Sequence, residues 1–166
     1  MSYWQLFYHF VWTTKHRQPH ITPEIEDTIY ELVRTKAIGL GGVVYAVGGH
    51  LDHVHLVTSV PPRLALATFI GKVKGSTTAR FNQLNLLPMK LYWQEEYGVF
   101  SFDAKKLPNF IAYVKNQKRH HTQNTTIPVL ERIARGEPRL LRESGPLYLA
   151  EDPLWREELL SLEEDF

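Results

Sequence analysis

The chain has 166 residues, is 43% hydrophobic and contains no cysteine. This suits one compact domain in a reducing cytoplasm and excludes both a disulfide framework and a thiolate zinc site. The net charge of +1 conceals an asymmetry, because residues 63–121 carry ten Lys/Arg against three Asp/Glu and residues 122–166 carry five against ten. A basic middle suits a polyanionic partner, and an acidic end either solvates or folds back. The apolar opening YWQLFYHFVW is too short to span a bilayer and lacks the basic start of a secretory signal. No membrane partner is expected.

That opening segment alternates. Trp4, Leu6, Tyr8, Phe10 and Trp12 share one face, while Gln5, His9, Thr13 and Lys15 share the other. The pattern predicts a strand with one buried face and one more open face. Thr22-Pro23 then supplies an N-cap and a first-turn proline for a helix carrying Ile25, Ile29, Leu32 and Val33, which Gly39, Gly41 and Gly42 stop. Two strand-like runs follow, Val43–Val47 and His53–Val60, joined by a hairpin connection over Gly48–Asp52. Pro61-Pro62 ends the second run. A helix from about Leu64 to Asn82 turns Leu66, Phe69, Ile70 and Val73 inward. Leu91–Trp93 and Val99–Phe102 read as extended, and about Leu107 to Thr122 as helical, with Pro108 in the first turn.

The order β-α-β-β-α-β-α matches, in its first six elements, a ferredoxin-like (RRM-like) α+β fold. Such a fold packs helices on one face of an antiparallel sheet and leaves the other open for a ligand. Residues 1–124 form the expected domain. Residues 125–166, with Pro128, Gly136, Pro138, Gly145, Pro146 and Pro153, form a mostly irregular C-terminal extension ending in a short acidic helix, Leu154–Leu162.

Strand periodicity sends His53, His55, Val57 and Ser59 one way and Val54, Leu56, Thr58 and Val60 the other. The second set suits a core, so the two imidazoles stand together on the opposite face. Such pairs are more often plain surface residues than ligands. Here the spacing also suits two neutral nitrogen ligands sharing one divalent cation, which would need a third ligand from elsewhere. In FIAYVKNQKRHH, Tyr113 and Gln117 are i and i+4 on a helix, and their side chains meet on one face. A glutamine oxygen can ligate a hard cation, and a tyrosine one turn away can reach a phosphate beside it. Lys115, Lys118, Arg119, His120 and His121 make this helix cationic.

Five stretches carry a resemblance to a known family. DHVH followed by LV-x-S, TTKHRQP, GKVKGSTTARF, YWQEEYGVFSF and YVKNQKRHH resemble, in order and spacing, segments of the single-tyrosine HUH transposases of the IS200-like TnpA family. The likeness covers about residues 3–122, and Leu51 stands where the family usually has proline. It implies that His53, His55 and Gln117 bind Mg²⁺ or Mn²⁺ and that Tyr113 is the catalytic nucleophile. Cleavage and rejoining of single-stranded DNA would then pass through a covalent 5′-phosphotyrosine without a nucleotide cofactor. The chain indeed has no G-x-x-x-x-G-K-[ST] loop.

The likeness also implies a DNA hairpin beside the cleavage site and a homodimer, in which the tyrosine helix serves either its own histidine pair or, by exchange, the partner's; the sequence does not decide between them. Lys15, Arg17, Lys72, Lys74 and Arg80, with Lys118 and Arg119, are the candidate DNA contacts. Trp93 and Tyr97 are candidates to stack on bases. The alternative is a domesticated, non-transposing single-stranded nucleic-acid-binding protein on the same fold, which would be expected to have lost Tyr113, a histidine or Gln117. All four are present.

Overall fold

The computed structural model describes residues 2–134 and 153–162. Strands β1 (Phe7–Thr13), β2 (Val44–His50), β3 (His53–Thr58) and β4 (Gly98–Phe102) form one antiparallel sheet in the order β2-β3-β1-β4. Helices α1 (Glu26–Gly39) and α2 (Leu66–Gln83) are followed by α3 (Leu107–Lys115), α4 (Gln117–Thr122), α5 (Pro128–Glu131) and α6 (Pro153–Ser161). The expected α+β antiparallel sheet is present.

Alternation along the strands divides the apolar residues between two cores. Phe10, Trp12, Val54 and Leu56 lie under α1 and α2, against Ile29, Val33, Phe69, Ile70 and Val73. Burying each such side chain contributes about 1.5–3 kcal/mol. On the other face, Ala46 and Val57 pack with Phe110, Tyr113 and Val114 of α3, Leu130 of α5, and Trp155 and Leu159 of α6.

This second face was expected to be open, and it is covered. The reason lies in β1 and β4. Phe7 and Val11 share the face of His9 and Thr13, and Phe100 and Phe102 extend it, so it is apolar enough to need a cover. Gly48 lets the cover approach closely, since a Cβ there would meet the Val114 carbonyl oxygen at 2.4 Å.

Several boundaries differ from the sequence reading. β2 runs on to His50, which reduces the connection to β3 to Leu51 and Asp52. Thr22 caps no helix. Its carbonyl accepts from the amides of Ile25 and Glu26 in the turn that leads into α1. Leu91–Trp93 forms no strand of the sheet and meets the residue after β1 at the isolated bridge Thr14–Trp93, beside which the Lys15 amide donates to the Tyr92 carbonyl. The helix expected over residues 107–122 breaks at Asn116 (φ −100°, ψ 19°), a residue type that contributes little to a helix interior. The expected acidic helix appears as α6, while Gly136, Pro138, Gly145 and Pro146 lie outside the described residues. Among the described residues no helix is long and apolar enough to cross a membrane.

Candidate active site

The pairing of β1 with β3 sets Thr13 opposite His53 and Val11 opposite His55. His53 and His55 share the face under α3, and both are buried, at 3% and 0% exposure. The Nδ1 of His53 lies 2.7 Å from Asp52 Oδ1 and donates to that carboxylate. The other ring nitrogen, Nε2, then carries a lone pair. Around it stand Gln117 Oε1 at 3.3 Å, His121 Nε2 at 3.1 Å and Glu131 Oε2 at 3.5 Å. The same Glu131 oxygen is 3.1 Å from His55 Nε2.

Gln117 therefore reaches the histidine pair even though it begins a new helix. Its Nε2 donates to the Tyr113 carbonyl at 3.4 Å. Tyr113 stands edge-on to His55, with ring centroids 5.9 Å apart. Its hydroxyl donates to Glu131 Oε1 and accepts from the Ile127 amide at 2.9 Å. Glu131 thus spans the cluster, one oxygen on the imidazoles and the other on the phenol. Tyr113 is fully buried, at 0% exposure, because α5 and the residues before it lie over the hydroxyl and Trp155 of α6 packs nearby.

Burial raises the Tyr113 phenol well above its ordinary value, and the neighbouring Glu131 charge adds to this. Burial alone would raise the Glu131 carboxyl, yet the attraction of His55 and His53 and the hydrogen bonds from His55 and Tyr113 hold it well below its usual range. For His53, burial is outweighed by the Asp52 hydrogen bond and the Glu131 charge, so it titrates above its ordinary value. His55 is pushed down, chiefly by burial. His9 falls well below through burial and the adjacent His55, and His121 drops to about 4 through burial and the nearby His53.

The donor set fits a divalent cation. His53, His55 and Glu131 bring three ligand atoms within 4.8 Å of one another. Gln117 adds a further oxygen, 3.3 Å from His53 Nε2. His53 Nε2, the Gln117 oxygen and the carboxylate offer electron pairs and no proton, an arrangement that favours a cation over mutual hydrogen bonds. Thr13 Oγ1 is buried opposite His53 and makes no hydrogen bond among the described residues.

The candidate DNA contacts separate into groups. Lys15 and Arg17 follow β1, where Thr14 N–H donates to Asp52 O and Arg17 lies 3.9 Å from the Asp52 carboxylate. Trp93 joins them through the bridge to Thr14 and donates its indole N–H to the Lys74 carbonyl. Lys118 and Arg119 are exposed on α4, with Lys118 bound to Glu26. Lys72 and Arg80 are exposed on α2, which packs on the opposite sheet face from Tyr113. Lys74 departs from the expectation of a backbone contact. Its ammonium turns inward and donates to the carbonyls of Gln94, Glu95 and Glu96 at 2.7, 2.9 and 3.2 Å.

Sequence reasoning passed over four members of this cluster, Glu131, His9, His121 and Asp52. Asp52 and His121 lay inside motifs already singled out. His9 was placed on the correct face by alternation, and Glu131 carried no local signal.

One face of the antiparallel sheet thus meets paired imidazoles, a carboxylate, an amide and a phenol in one buried cluster. Residues 2–117 match the family described as "Transposase IS200 like". The ISDra2 transposase TnpA of Deinococcus radiodurans is 28% identical over 119 residues, spanning 69% of this chain and 85% of the relative. The transposase of insertion sequence IS200 from Salmonella typhimurium is 24% identical, spanning 69% and 78%.

Among solved structures, a putative transposase from Deinococcus radiodurans aligns with a TM-score of 0.57 and 24% identity, covering 70% of this chain and 95% of that one. A REP-associated tyrosine transposase bound to a REP hairpin aligns with a TM-score of 0.54 and 12% identity, covering 92% and 98%. The chain belongs to the IS200-like transposase family, a family of DNA transposases.

Proposed function

We propose that this transposase cleaves and rejoins single-stranded DNA through a covalent 5′-phosphotyrosine on Tyr113. The observation that carries the reading is the meeting of the Tyr113 hydroxyl, Glu131 and the His53–His55 pair in one buried cluster. His53, His55 and Gln117 would hold Mg²⁺ or Mn²⁺, with Glu131 a further ligand until DNA displaces it. Such a cation, when bound, offsets the charge of a non-bridging phosphate oxygen and orients the phosphorus for in-line attack.

The remaining steps belong to side chains. Glu131 presents an anionic oxygen to both Tyr113 and the imidazoles, the position a scissile phosphate has to occupy. DNA entry therefore requires α5 to withdraw and the phosphate to take the place of the carboxylate. The Tyr113 oxygen then attacks phosphorus, the P–O3′ bond breaks, and the phenol proton passes to the departing 3′-oxygen, leaving a 3′-OH. The phosphotyrosine conserves the energy of the broken bond, so a second 3′-OH reverses the step and joins new ends. Lys15, Arg17, Lys118 and Arg119 lie on segments adjoining the His53 side of the cluster and are the DNA-backbone contacts of this reading. Trp93 beside them stacks a base.

Because Tyr113 meets the histidines of its own chain, the reaction proceeds in cis, and a partner's helix is not required even in a homodimer. The hairpin carried by the REP-associated relative suggests a DNA hairpin as the recognition element here too.

The test is incubation with Mn²⁺ and single-stranded DNA from both flanks of the gene, followed by a denaturing gel. The expected result is a protein–DNA adduct that EDTA and Tyr113→Phe both abolish. An adduct undiminished in Tyr113→Phe overturns the reading. Full burial of Tyr113 favours one second reading, a single-strand-binding protein that no longer cleaves. Tight binding with no adduct under any divalent cation would select it.

A further inference from the structure

The reading of His53 and His55 as cation ligands, on which this inference rests, makes a demand on each ring. Both offer Nε2 to the pocket, and that nitrogen has a free lone pair only when the ring proton is on Nδ1. For His53 the demand is met by Asp52, since a carboxylate can only accept. Among the described residues no carboxylate stands behind His55. Its Nδ1 lies 2.8 Å from Nε2 of His9, with ring centroids 4.9 Å apart and both side chains buried. The contact follows from strand register. His9 pairs with Val57, two residues from His55 on the same face, and diagonal neighbours of this kind are within reach of long side chains.

An imidazole differs from a carboxylate in that it can donate or accept. When His9 Nε2–H donates, His55 must carry its own proton on Nε2, where Glu131 Oε2 at 3.1 Å accepts it. In that state His55 cannot ligate. When His9 accepts, His55 Nδ1–H points outward and Nε2 is bare.

We propose that His9 is the positioning residue for His55, and that cation entry reverses the direction of the His9–His55 hydrogen bond. In the cation-free site His9 donates, and His55 is tied to Glu131. In the loaded site His9 accepts, and the lone pair of His55 Nε2 faces the cation. The proton in the bond passes from His9 Nε2 to His55 Nδ1. His9 takes up one proton at Nδ1, and His55 releases one from Nε2, so both rings stay neutral and the protons balance. The metal site thus has two supporting groups of unequal kind, a fixed acceptor behind His53 and a reversible one behind His55.

The test measures Mn²⁺ binding to the full chain by calorimetry for the native protein, His9→Leu and His9→Gln. Leucine fills the space but cannot accept. Glutamine offers an acceptor and a donor at about the reach of Nε2. The expected result is a loss of about 10- to 100-fold in affinity for His9→Leu, the usual cost of losing a metal ligand's supporting partner, with most of the affinity kept in His9→Gln.

Long-range ¹H–¹⁵N spectra, in which the His55 signals are identified by their loss in His55→Ala, give a second readout. The native protein should show the Nε2–H form of His55 without cation and the Nδ1–H form with saturating Zn²⁺. Unchanged Mn²⁺ affinity in a folded His9→Leu, or one His55 tautomer in both states, overturns the proposal. Should His9→Leu not fold, the spectra of the native protein decide alone. A native protein that binds no Mn²⁺ removes the cation reading and this inference with it. Native binding that survives His9→Leu removes the inference only.

Discussion

One carboxylate joins Tyr113 to the histidine pair. Glu131 Oε1 accepts from the Tyr113 hydroxyl, while its Oε2 lies 3.1 Å from His55 Nε2. Glu131 thereby turns one oxygen into the pocket while the other holds the phenol. Glu131→Ala is expected to weaken Mn²⁺ binding without DNA by no less than about tenfold, the lower end of what losing an outer partner costs. At saturating Mn²⁺ the same change should speed adduct formation about fivefold, as one competing hydrogen bond of ~1 kcal/mol is removed. Single-turnover gels and calorimetry check both. A slower adduct would mean that the carboxylate works with Tyr113 rather than against DNA.

Tyr113→Phe removes the donor to Glu131 and the acceptor of the Ile127 amide, both in a buried setting. The expected cost is about 2 kcal/mol, and Tm falls by roughly 4–8 °C. If each chain uses its own helix, as proposed, mixing Tyr113→Phe with His55→Ala should restore no adduct. Recovered activity in the mixture would show exchange between subunits. Thermal melts and the mixing gel are independent readouts.

Lys72 and Lys74 stand two residues apart on α2 but differ in role. Lys74→Met abandons three carbonyl acceptors and should destabilise the chain by about 2–3 kcal/mol. Lys72→Ala should change stability by no more than about 0.5 kcal/mol. If Lys72 touches DNA, its loss lowers the salt slope of binding by about one. Urea titrations of the two variants, with DNA binding at several salt concentrations, separate packing from contact.

Acid should loosen the metal-free protein before ordinary carboxylates protonate. His121 titrates at about 4 when folded, below its ordinary 6.5, so the unfolded chain takes up that proton first. Its contribution is complete above pH ~6.5 and is lost as pH falls to about 4. His9 and His55 are shifted in the same direction. Glu131, held low, adds a loss at still lower pH. His53 is raised and opposes, contributing stability below pH ~6.5 that disappears as pH rises through its folded value. With His50 also lowered, chiefly by burial, four lowered imidazoles outweigh one raised, so unfolding free energy in EDTA should decrease between pH 6.5 and 4. A flat profile by urea titration would contradict this balance.

Parts of the site were legible because their rules are local. Period-two alternation put His53 and His55 on one face whatever the fold, and Asp52 adjoined them in the chain. The Tyr113–Gln117 spacing also survived, although the helix breaks at Asn116, because the Gln117 side-chain amide still reaches the Tyr113 carbonyl at 3.4 Å. Lys74 was misjudged because charge predicts exposure only while no carbonyls stand within reach. That three lay across a loop twenty residues away was not readable from α2.

Sequence alone determined the two-faced strands, the paired imidazoles and the helix carrying Tyr113. Each depends on residues within a turn or a strand of one another. Tertiary structure decided what surrounds them. Glu131, 76 residues from His55 in an ordinary apolar helix turn, joins the cluster only because α5 and α6 cover the second sheet face. His9 meets His55 only through the register of β1 on β3. Alternation tells which way a side chain points, but only strand pairing and helix docking tell what it meets there.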